Sequence, residues 1–280
     1  GGSTFHKTLH VETVKPNRLK IDTDYGTDIL GAGGTAKVRT AASWLTGPPA
    51  AGLKARATMT LRSVSTTFKG FEKYTFTNPS LYFVPSEHEL YSTVLDDTGN
   101  AAVYVRLPAA ETAPGMLNAL IVTSVEETGG DESFTTLSLP YSPYTAYVGI
   151  RIPDGDYLET DRQHSLRIAT VDSAGKRVKG HELEYVLFKT GWDWWWESSG
   201  DNLDAYVNGH SVRRILGGTA VSADKDATVP LRIDYPEWGR YLFLVRDKES
   251  GHVSGAEFTV DWPSYRGRAN REDPEHLTML

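Results

Sequence analysis

Four of the seven tryptophans of this chain lie within five residues, in the run Trp192-Asp-Trp-Trp-Trp196. Alternate side chains of a β-strand point to the same face, so Trp192, Trp194 and Trp196 are predicted to form a row. A row of indole rings can stack on sugar rings, which would make it a glycan-binding platform. It can also pack within or between domains, because large aromatic side chains supply buried area. We favour the packing interpretation and expect most of the row to be covered.

A second candidate is the triplet Asp97-Thr98-Gly99, which also occurs in aspartic proteases. Those enzymes need two such loops whose carboxylates share one proton. The only comparable segment is Asp172-Ser-Ala-Gly175, which has one extra residue. Aspartate followed by glycine between two strands is also typical of hairpin turns. We therefore interpret both segments as turns.

The sequence contains no complete motif for a metal site or a nucleotide-binding site. The eight histidines are scattered, and His6 and His10 would share a strand face without closing a metal site. Paired carboxylates for glycoside hydrolysis cannot be identified by spacing, because Glu126-Glu127 and Asp154-Gly-Asp156 lie in turn-like contexts, where acidic residues are expected. The glycine-rich segment Gly31-Ala-Gly-Gly34 precedes no phosphate-binding helix. We predict no catalytic residue, no cofactor and no metal site, and hence that the chain is not an enzyme.

The composition restricts the classes of partner. With 280 residues, 39% of them hydrophobic, the chain is long enough for two domains, each with its own core. The net charge of −7 and the short basic clusters argue against nucleic acid as a partner. No apolar run reaches the roughly 20 residues that cross a bilayer, so we expect no direct membrane contact. The absence of cysteine excludes disulfides and thiolate sites within the chain.

Short alternations of apolar and polar residues dominate the chain and indicate β-strands. In Leu53–Leu61, for example, every second residue is apolar and the others are Lys, Arg or Thr. No stretch shows the sustained apolar stripe of an amphipathic helix. Many short strands between turn residues are typical of β-sandwiches. We predict an all-β fold of two tandem seven-stranded antiparallel β-sandwiches with fibronectin- or Ig-like architecture.

An internal repeat supports this division. The segment Gly99–Leu107 resembles Lys225–Ile233, and each is followed by a proline-containing turn, a glycine and an apolar strand. The two prolines of Pro140-Tyr-Ser-Pro143 resist ladder pairing and suggest a stiff linker, around which we expect substantial interdomain surface at 140–147. The chain begins Gly1-Gly2-Ser3, from which we expect a fragment of a longer protein.

The predicted boundaries follow from these features. Residues 1–15 are expected to be the C-terminal strand of a preceding domain or a linker. The first sandwich is predicted at 16–140 and the second at 144–265. Residues 266–280 are polar without apolar periodicity and are expected to form a tail toward the next domain.

The second half resembles bacterial alpha-2-macroglobulins, in the macroglobulin-like domain just before the bait-region domain. The matching segments are Tyr157–Arg162, Val171–Gly175, Trp192–Trp196, Trp238–Leu242, Ser250–Gly255 and Asp261–Pro263. The first half resembles the preceding domain of the same family. Its matching segments are Lys15–Leu19, Trp44–Ala50, Phe68–Phe71, Leu95–Gly99, Val125–Gly130 and Tyr141–Tyr144.

This resemblance implies a scaffold fragment of a protease-trapping endopeptidase inhibitor. The fragment itself contains no bait segment and, without cysteine, no thioester. The tail at 266–280 would lead to the bait-region domain. The implied partners are neighbouring domains of the parent chain and, through the parent, target proteases, while the fragment is expected to be monomeric. The implied location is the periplasm or cell envelope, with a lipid anchor on the parent. The alternative is a cell-surface glycan-binding module that uses Trp192, Trp194 and Trp196.

Overall fold

A computed structural model describes residues 16–191, 195–196, 207–208 and 212–262. These residues contain eighteen β-strands and no helix, which confirms the predicted all-β class. No helix able to span a membrane therefore occurs in the described part of the chain. The first eight strands are β1 (Leu19–Asp24), β2 (Leu30–Gly31), β3 (Thr35–Trp44), β4 (Lys54–Ser63), β5 (Ser86–Val94), β6 (Asn100–Arg106), β7 (Leu117–Glu126) and β8 (Glu132–Ser142).

The remaining strands follow after a short connection. They are β9 (Tyr147–Arg151), β10 (Leu158–Glu159), β11 (Gln163–Val171), β12 (Glu182–Thr190), β13 (Trp195–Trp196), β14 (Val207–Asn208), β15 (Arg213–Val221), β16 (Ala227–Arg232), β17 (Gly239–Asp247) and β18 (Val253–Asp261).

Strands β1 to β8 form the N-terminal sandwich. A three-stranded sheet in the order β1-β3-β6 packs against a five-stranded sheet in the order β2-β8-β7-β4-β5. The alternation predicted for β4 is present, since its buried side chains are Ala55, Ala57, Met59 and Leu61. Ala57, Met59 and Leu61 meet Val38 and Val105 of the smaller sheet in one buried cluster. Burial of one face of each sheet therefore holds this unit together.

Strands β9 to β18 form the C-terminal sandwich, which repeats the same plan. Its smaller sheet has the order β16-β11-β9, and its larger sheet has the order β10-β18-β17-β12-β15. Each strand of the N-terminal sandwich thus has a counterpart, and the hairpin β13-β14 is an addition between β12 and β15. Leu166 and Ile168 of the smaller sheet pack on Leu187 and Phe243 of the larger one. The repeat seen in the sequence is therefore a repeat of topology.

Two details differ from the predicted seven-stranded antiparallel sandwich. Among the described residues, each unit contains eight strands that have a counterpart in the other unit, one more than predicted. The additional strands are β2 and β10, which are two residues long. These two strands pair in parallel with the ends of β8 and β18, through Leu30↔Tyr141 and Leu158↔Val260. The strand or linker predicted at residues 1–15 and the tail predicted at 266–280 lie outside the described residues.

The expected linker begins later than the first of its two prolines. Pro140 lies within β8, where it is aligned with Asn118 of β7, and the strand continues to Ser142. Proline is tolerated in a strand with a largely open edge. The outer edge of β8 is such an edge, because only the two-residue β2 pairs there. The connection between the two sandwiches is therefore only residues 143–146.

The common core plan gives a first stability prediction. Leu166 is fully buried between the two sheets of the C-terminal sandwich, whereas the Leu45 side chain is 69% exposed. Replacing Leu166 with Ala should lower the free energy of unfolding by about 2–5 kcal/mol, because it removes buried methyl groups and leaves a cavity. The matched control Leu45→Ala should change it by less than about 0.5 kcal/mol. Urea denaturation followed by circular dichroism measures both, and equal losses would contradict this assignment of the core.

Candidate functional site at the domain interface

The predicted tryptophan row falls almost wholly outside the described residues. Trp192 and Trp194 are not among them. Trp196 is described only as backbone of β13, where it pairs with Val207 of β14. That Trp192, Trp194 and Trp196 share one covered face, and the alternative that they bind glycans, both stay predictions.

The Asp-Thr-Gly candidate forms a turn anchored by the residue before it. One carboxylate oxygen of Asp96, Oδ1, accepts hydrogen bonds from the backbone N–H of Thr98 at 2.8 Å and of Asn100 at 3.0 Å. The Thr98 hydroxyl donates to the same oxygen and, with these amides, lowers the pKa of Asp96. Asp172 accepts in the same way from the N–H groups of Ala174 and Lys176. Both segments are turns, as interpreted from the sequence, and each connects strands of different sheets.

One potential metal-binding group exists among the described residues, and the sequence spacing did not reveal it. Ligand atoms of His181, Asp247 and Glu249 lie within 4.8 Å of one another. Protein groups already occupy these atoms: Asp247 Oδ2 lies 2.7 Å from His181 Nδ1, and both Glu249 oxygens accept from the Glu182 N–H. The group therefore ties the β17–β18 turn to the start of β12.

The strongest constellation lies between the two sandwiches. Residues 68–79, which we call the docking segment, belong to the connection between β4 and β5. Thr75 exchanges two backbone hydrogen bonds with Ile150 of β9, at 2.8 and 3.0 Å. Two residues later, the Thr77 carbonyl accepts from the Gly255 N–H of β18 at 3.0 Å. The docking segment thus lies between the edges of the two sheets of the C-terminal sandwich and pairs with both.

Two glycines make room for this insertion. Phe76 is fully buried, and a Cβ atom at Gly149 would lie only 2.4 Å from its ring carbons. On the other side, a Cβ atom at Gly255 would lie 2.7 Å from Pro79 Cγ. Real Cβ atoms do not approach other heavy atoms so closely, so glycine is required at both positions for the segment to fit.

Around Phe76, side chains of both sandwiches form a shared apolar cluster. Its buried members are Phe68, Phe71, Phe76 and Met116 from the N-terminal sandwich and Tyr147, Ala169 and Val171 from the C-terminal one. The ring of Phe68 meets that of Phe76 edge-on at 4.8 Å and that of Tyr147 at 5.4 Å. Such aromatic pairs add about 0.5–1.5 kcal/mol each beyond their burial. The contact therefore resembles a small domain core.

Polar groups fix the orientation at one side of this cluster. Asp226 accepts a hydrogen bond from the Tyr74 hydroxyl at 2.5 Å and forms an ion pair with Arg177 at 2.7 Å. Burial, together with the Asp226 carboxylate, raises the pKa of Tyr74. The Arg177 guanidinium also lies 4.9 Å from the centre of the Phe71 ring. Asp226 therefore links Tyr74 of the docking segment, through Oδ2, to Arg177 of its own sandwich, through Oδ1, which helps to orient the two sandwiches.

His252 is completely buried at the same junction. Its Nδ1 accepts the Val148 N–H at 3.1 Å, so the proton of the neutral ring lies on Nε2. Nε2 faces the backbone of Phe76 but makes no hydrogen bond of ordinary geometry. The rings of Tyr144 and Tyr147 each lie 4.9 Å from the imidazole. Burial lowers the pKa of His252 from 6.5 to about 3, which keeps the ring neutral.

The expected interdomain surface at 140–147 is therefore only part of the interface. Tyr144 and Tyr147 do contribute to it, but the docking segment contributes more and was not predicted. Its sequence gives one usable signal: four aromatic residues occur between 68 and 76 without the alternation of a strand. Such apolar content in a connection indicates a buried contact.

Comparisons with known protein families divide the chain at this same junction. The family model for the bacterial alpha-2-macroglobulin MG5 domain matches residues 17–143. The family model for bacterial macroglobulin domain 6 matches residues 149–262.

Known relatives and solved structures agree with these matches. The alpha-2-macroglobulin of Xylella fastidiosa strain Temecula1 is 22% identical over 278 residues, which cover 97% of this chain and 17% of the relative. The native Escherichia coli alpha-2-macroglobulin shares the fold with a TM-score of 0.57 at 19% identity, over 90% of this chain and 16% of that one. The trypsin-activated Escherichia coli protein gives 0.58 at 17% identity, over 88% and 17%. The chain thus spans about one sixth of the length of these proteins.

The close approach at Gly149 yields a second prediction. Gly149→Ala should lower the free energy of unfolding by about 1–3 kcal/mol, because the new methyl group must displace the packed Phe76 ring. Gly31→Ala is the matched control, since a Cβ atom there meets nothing within 4 Å, and it should change stability by less than about 0.5 kcal/mol. In the double variant Gly149→Ala, Phe76→Leu, the total loss of stability should be smaller than the sum of the two single losses, because the smaller leucine leaves room for the new methyl group. Strictly additive effects in this double-mutant cycle, measured by thermal and chemical denaturation, would refute the contact.

Burial of His252 yields a third prediction, on pH. Its folded pKa lies below the unfolded value of 6.5, so its contribution to stability is complete above pH 6.5 and is lost as the pH falls toward 3. Between pH 7.5 and pH 5 this loss should reach about 2 kcal/mol. Over the same pH range, the free energy of unfolding of the variant His252→Gln should fall by about 2 kcal/mol less than that of the unchanged protein, because all other titrating groups are the same. Parallel urea titrations at the two pH values test this, and identical losses in the two proteins would contradict it.

Proposed function

The chain belongs to the bacterial alpha-2-macroglobulin family, with an MG5 domain and a macroglobulin domain 6 in succession, and we propose that it is a structural section of a protease-trapping inhibitor. The observation that carries this proposal is the interface formed by the docking segment. An interface with paired backbone, a shared aromatic core and two steric glycines suits a scaffold that must hold neighbouring domains at a fixed angle. The domain limits are part of the same proposal: the first limit, predicted as 16–140, extends to Ser142 at the end of β8, and the second stays at 144–265.

The role of the section is mechanical. In a protease trap, cleavage of a bait segment must be converted into movement of large parts of the molecule. A stiff pair of sandwiches transmits such movement without absorbing it, because separating the two units would expose the apolar cluster that they share. Target proteases are thus partners of the parent protein, while the section contacts the neighbouring domains.

The described residues supply further support for a non-enzymatic role. The strongly shifted titratable groups among them are buried tyrosines and His252, whose shifts are caused chiefly by burial. We propose that this section acts as a monomeric scaffold, and that its parent resides in the periplasm or cell envelope with a lipid anchor. Cell fractionation together with labelling of the parent by a fatty acid tests the location.

The fourth prediction concerns trapping by the parent protein. Phe76→Ala in the parent should reduce the fraction of trypsin that is captured, because the loosened interface no longer transmits the rearrangement. Cleavage of the bait segment itself should continue at an unchanged rate. Residual trypsin activity on a large protein substrate measures capture, and gel electrophoresis measures cleavage. Tyr82→Ala, at an 83% exposed ring just beyond the docking segment, should leave both unchanged.

The isolated 280-residue chain provides the complementary test. It should not inhibit trypsin-like enzymes at any ratio, because it contributes scaffold and no bait. Stoichiometric inhibition by the isolated chain would overturn the proposal, as would a parent protein that fails to capture proteases after bait cleavage.

A further inference from the structure

Three large aromatic side chains are exposed together at one end of the C-terminal sandwich. Tyr235 is 56%, Trp238 58% and Trp262 50% exposed, and we call them the aromatic end patch. The rings of Tyr235 and Trp262 lie 5.5 Å apart. Trp238 directly precedes β17 and Trp262 directly follows β18, and these two strands are paired neighbours at this end. Tryptophan and tyrosine that cluster on a surface are the residue types that dominate binding energy at protein interfaces.

The aromatic end patch is held in place by a strained loop. Asp161 has a φ of +60°, which is unusual for a residue other than glycine. Its side chain accepts the Tyr235 N–H at 3.2 Å, while its own N–H donates to the Ile233 carbonyl at 2.8 Å. The preceding Thr160 donates its N–H to Asp261, next to Trp262. This loop therefore bonds to the backbone on both sides of the patch, at Tyr235 and at Asp261. Aromatic side chains that are already held in position lose less entropy when they bind a partner.

The internal repeat shows what covers the same place in the N-terminal sandwich. In the first unit, Leu117 of β7 is paired with Tyr141 of β8, and Tyr141 also pairs with the short strand β2. In the second unit, Gly239 of β17 is paired in the same way with Val260 of β18, which also pairs with the short strand β10. Counting from these positions, Trp238 corresponds to Met116 and Trp262 to Pro143. Met116 is buried in the cluster shared with the C-terminal sandwich. The end that the next sandwich covers in the first unit is therefore the end that displays exposed aromatic rings in the second.

We infer that the aromatic end patch is the docking surface for the sandwich domain that follows this section in the parent chain. The last strand, β18, also ends at the patch, so the following part of the parent chain starts beside it, as β9 does after β8. The inference rests on the proposed function only in requiring that the section is part of a longer protein. The partner should present an apolar strand edge, by analogy with β9 and β18, which receive the docking segment.

Charged side chains beside the patch form a polar rim. Glu237 bridges Lys189 at 2.8 Å and Arg213 at 2.5 Å, and the Lys189 hydrogen bond lowers the pKa of Glu237. An apolar centre with a charged rim is the usual composition of a domain–domain contact. The rim pairs are satisfied within the section itself, so the partner needs no matching charges.

Hydroxyl-radical footprinting read by mass spectrometry tests the inference. Oxidation of Trp238 and Trp262 is compared between the 280-residue chain and the intact parent protein. Both tryptophans should be oxidised severalfold more slowly in the parent, because the next domain covers them. Tyr104, which is 74% exposed on the N-terminal sandwich, serves as the control that should be oxidised equally in both.

A variant separates docking from folding. Trp238→Ser with Trp262→Ser should lower the melting temperature of the 280-residue chain only slightly, since about half of each side chain is exposed there. In the parent, the same changes should lower the melting temperature and accelerate hydrogen exchange in β17 and β18. An unchanged parent would overturn the inference.

The remaining outcomes are equally decisive. Equal oxidation in chain and parent, or protection of the isolated chain that grows with its concentration and indicates a second copy as occupant, would overturn docking of the next domain. Protection by added oligosaccharides alone would do the same. Protease capture, measured on the same parent sample, reports on the proposed function separately, so a failure of docking and a failure of trapping are distinguished.

Discussion

The arrangement of the two sandwiches depends on the insertion of Phe76 between two strand edges. The backbone bonds of Thr75 to β9 and of Thr77 to β18 fix the register of the segment on both sides. A shift of one residue would turn the Phe76 side chain to the opposite face and break the bonds together. Gly149 lies directly against the Phe76 ring, so no larger residue fits at position 149. Backbone pairing and side-chain packing therefore specify the same position, which makes a single interdomain angle.

The repeated topology shows that one fold is used twice in succession. Every strand of the first unit has its counterpart in the second, so the two cores are built alike. The units differ in the connection that follows the fourth strand of each repeat. In the first unit this connection is the docking segment, and in the second it contains the hairpin β13-β14 and the tryptophan-rich sequence. The strand order of the core is therefore the same in both units, whereas the connection after the fourth strand differs between them.

Much of this fold could be predicted from the sequence, because its strands bury one face and so alternate. The strand Lys54–Ser63 and the repeat of β6 in β16 follow directly from such patterns. The docking segment could not be placed, since its partners Ile150 and Gly255 are far away in sequence and it lacks periodicity. The role of Gly149 was invisible for the same reason: only the position of the Phe76 ring explains why no larger residue fits. Likewise, His252 is one of eight scattered histidines until burial sets its chemistry.

An interface of this kind limits where a larger molecule can bend. Loosening it would expose the buried Phe76 and Met116 and leave the Asp226 carboxylate, which Tyr74 and Arg177 now satisfy, with a single partner. Each large apolar side chain that becomes exposed costs about 1.5–3 kcal/mol. The connection of residues 143–146 is also too short to let the two units separate without breaking these contacts. These contacts therefore oppose bending at this junction and favour the two sandwiches remaining together as one body.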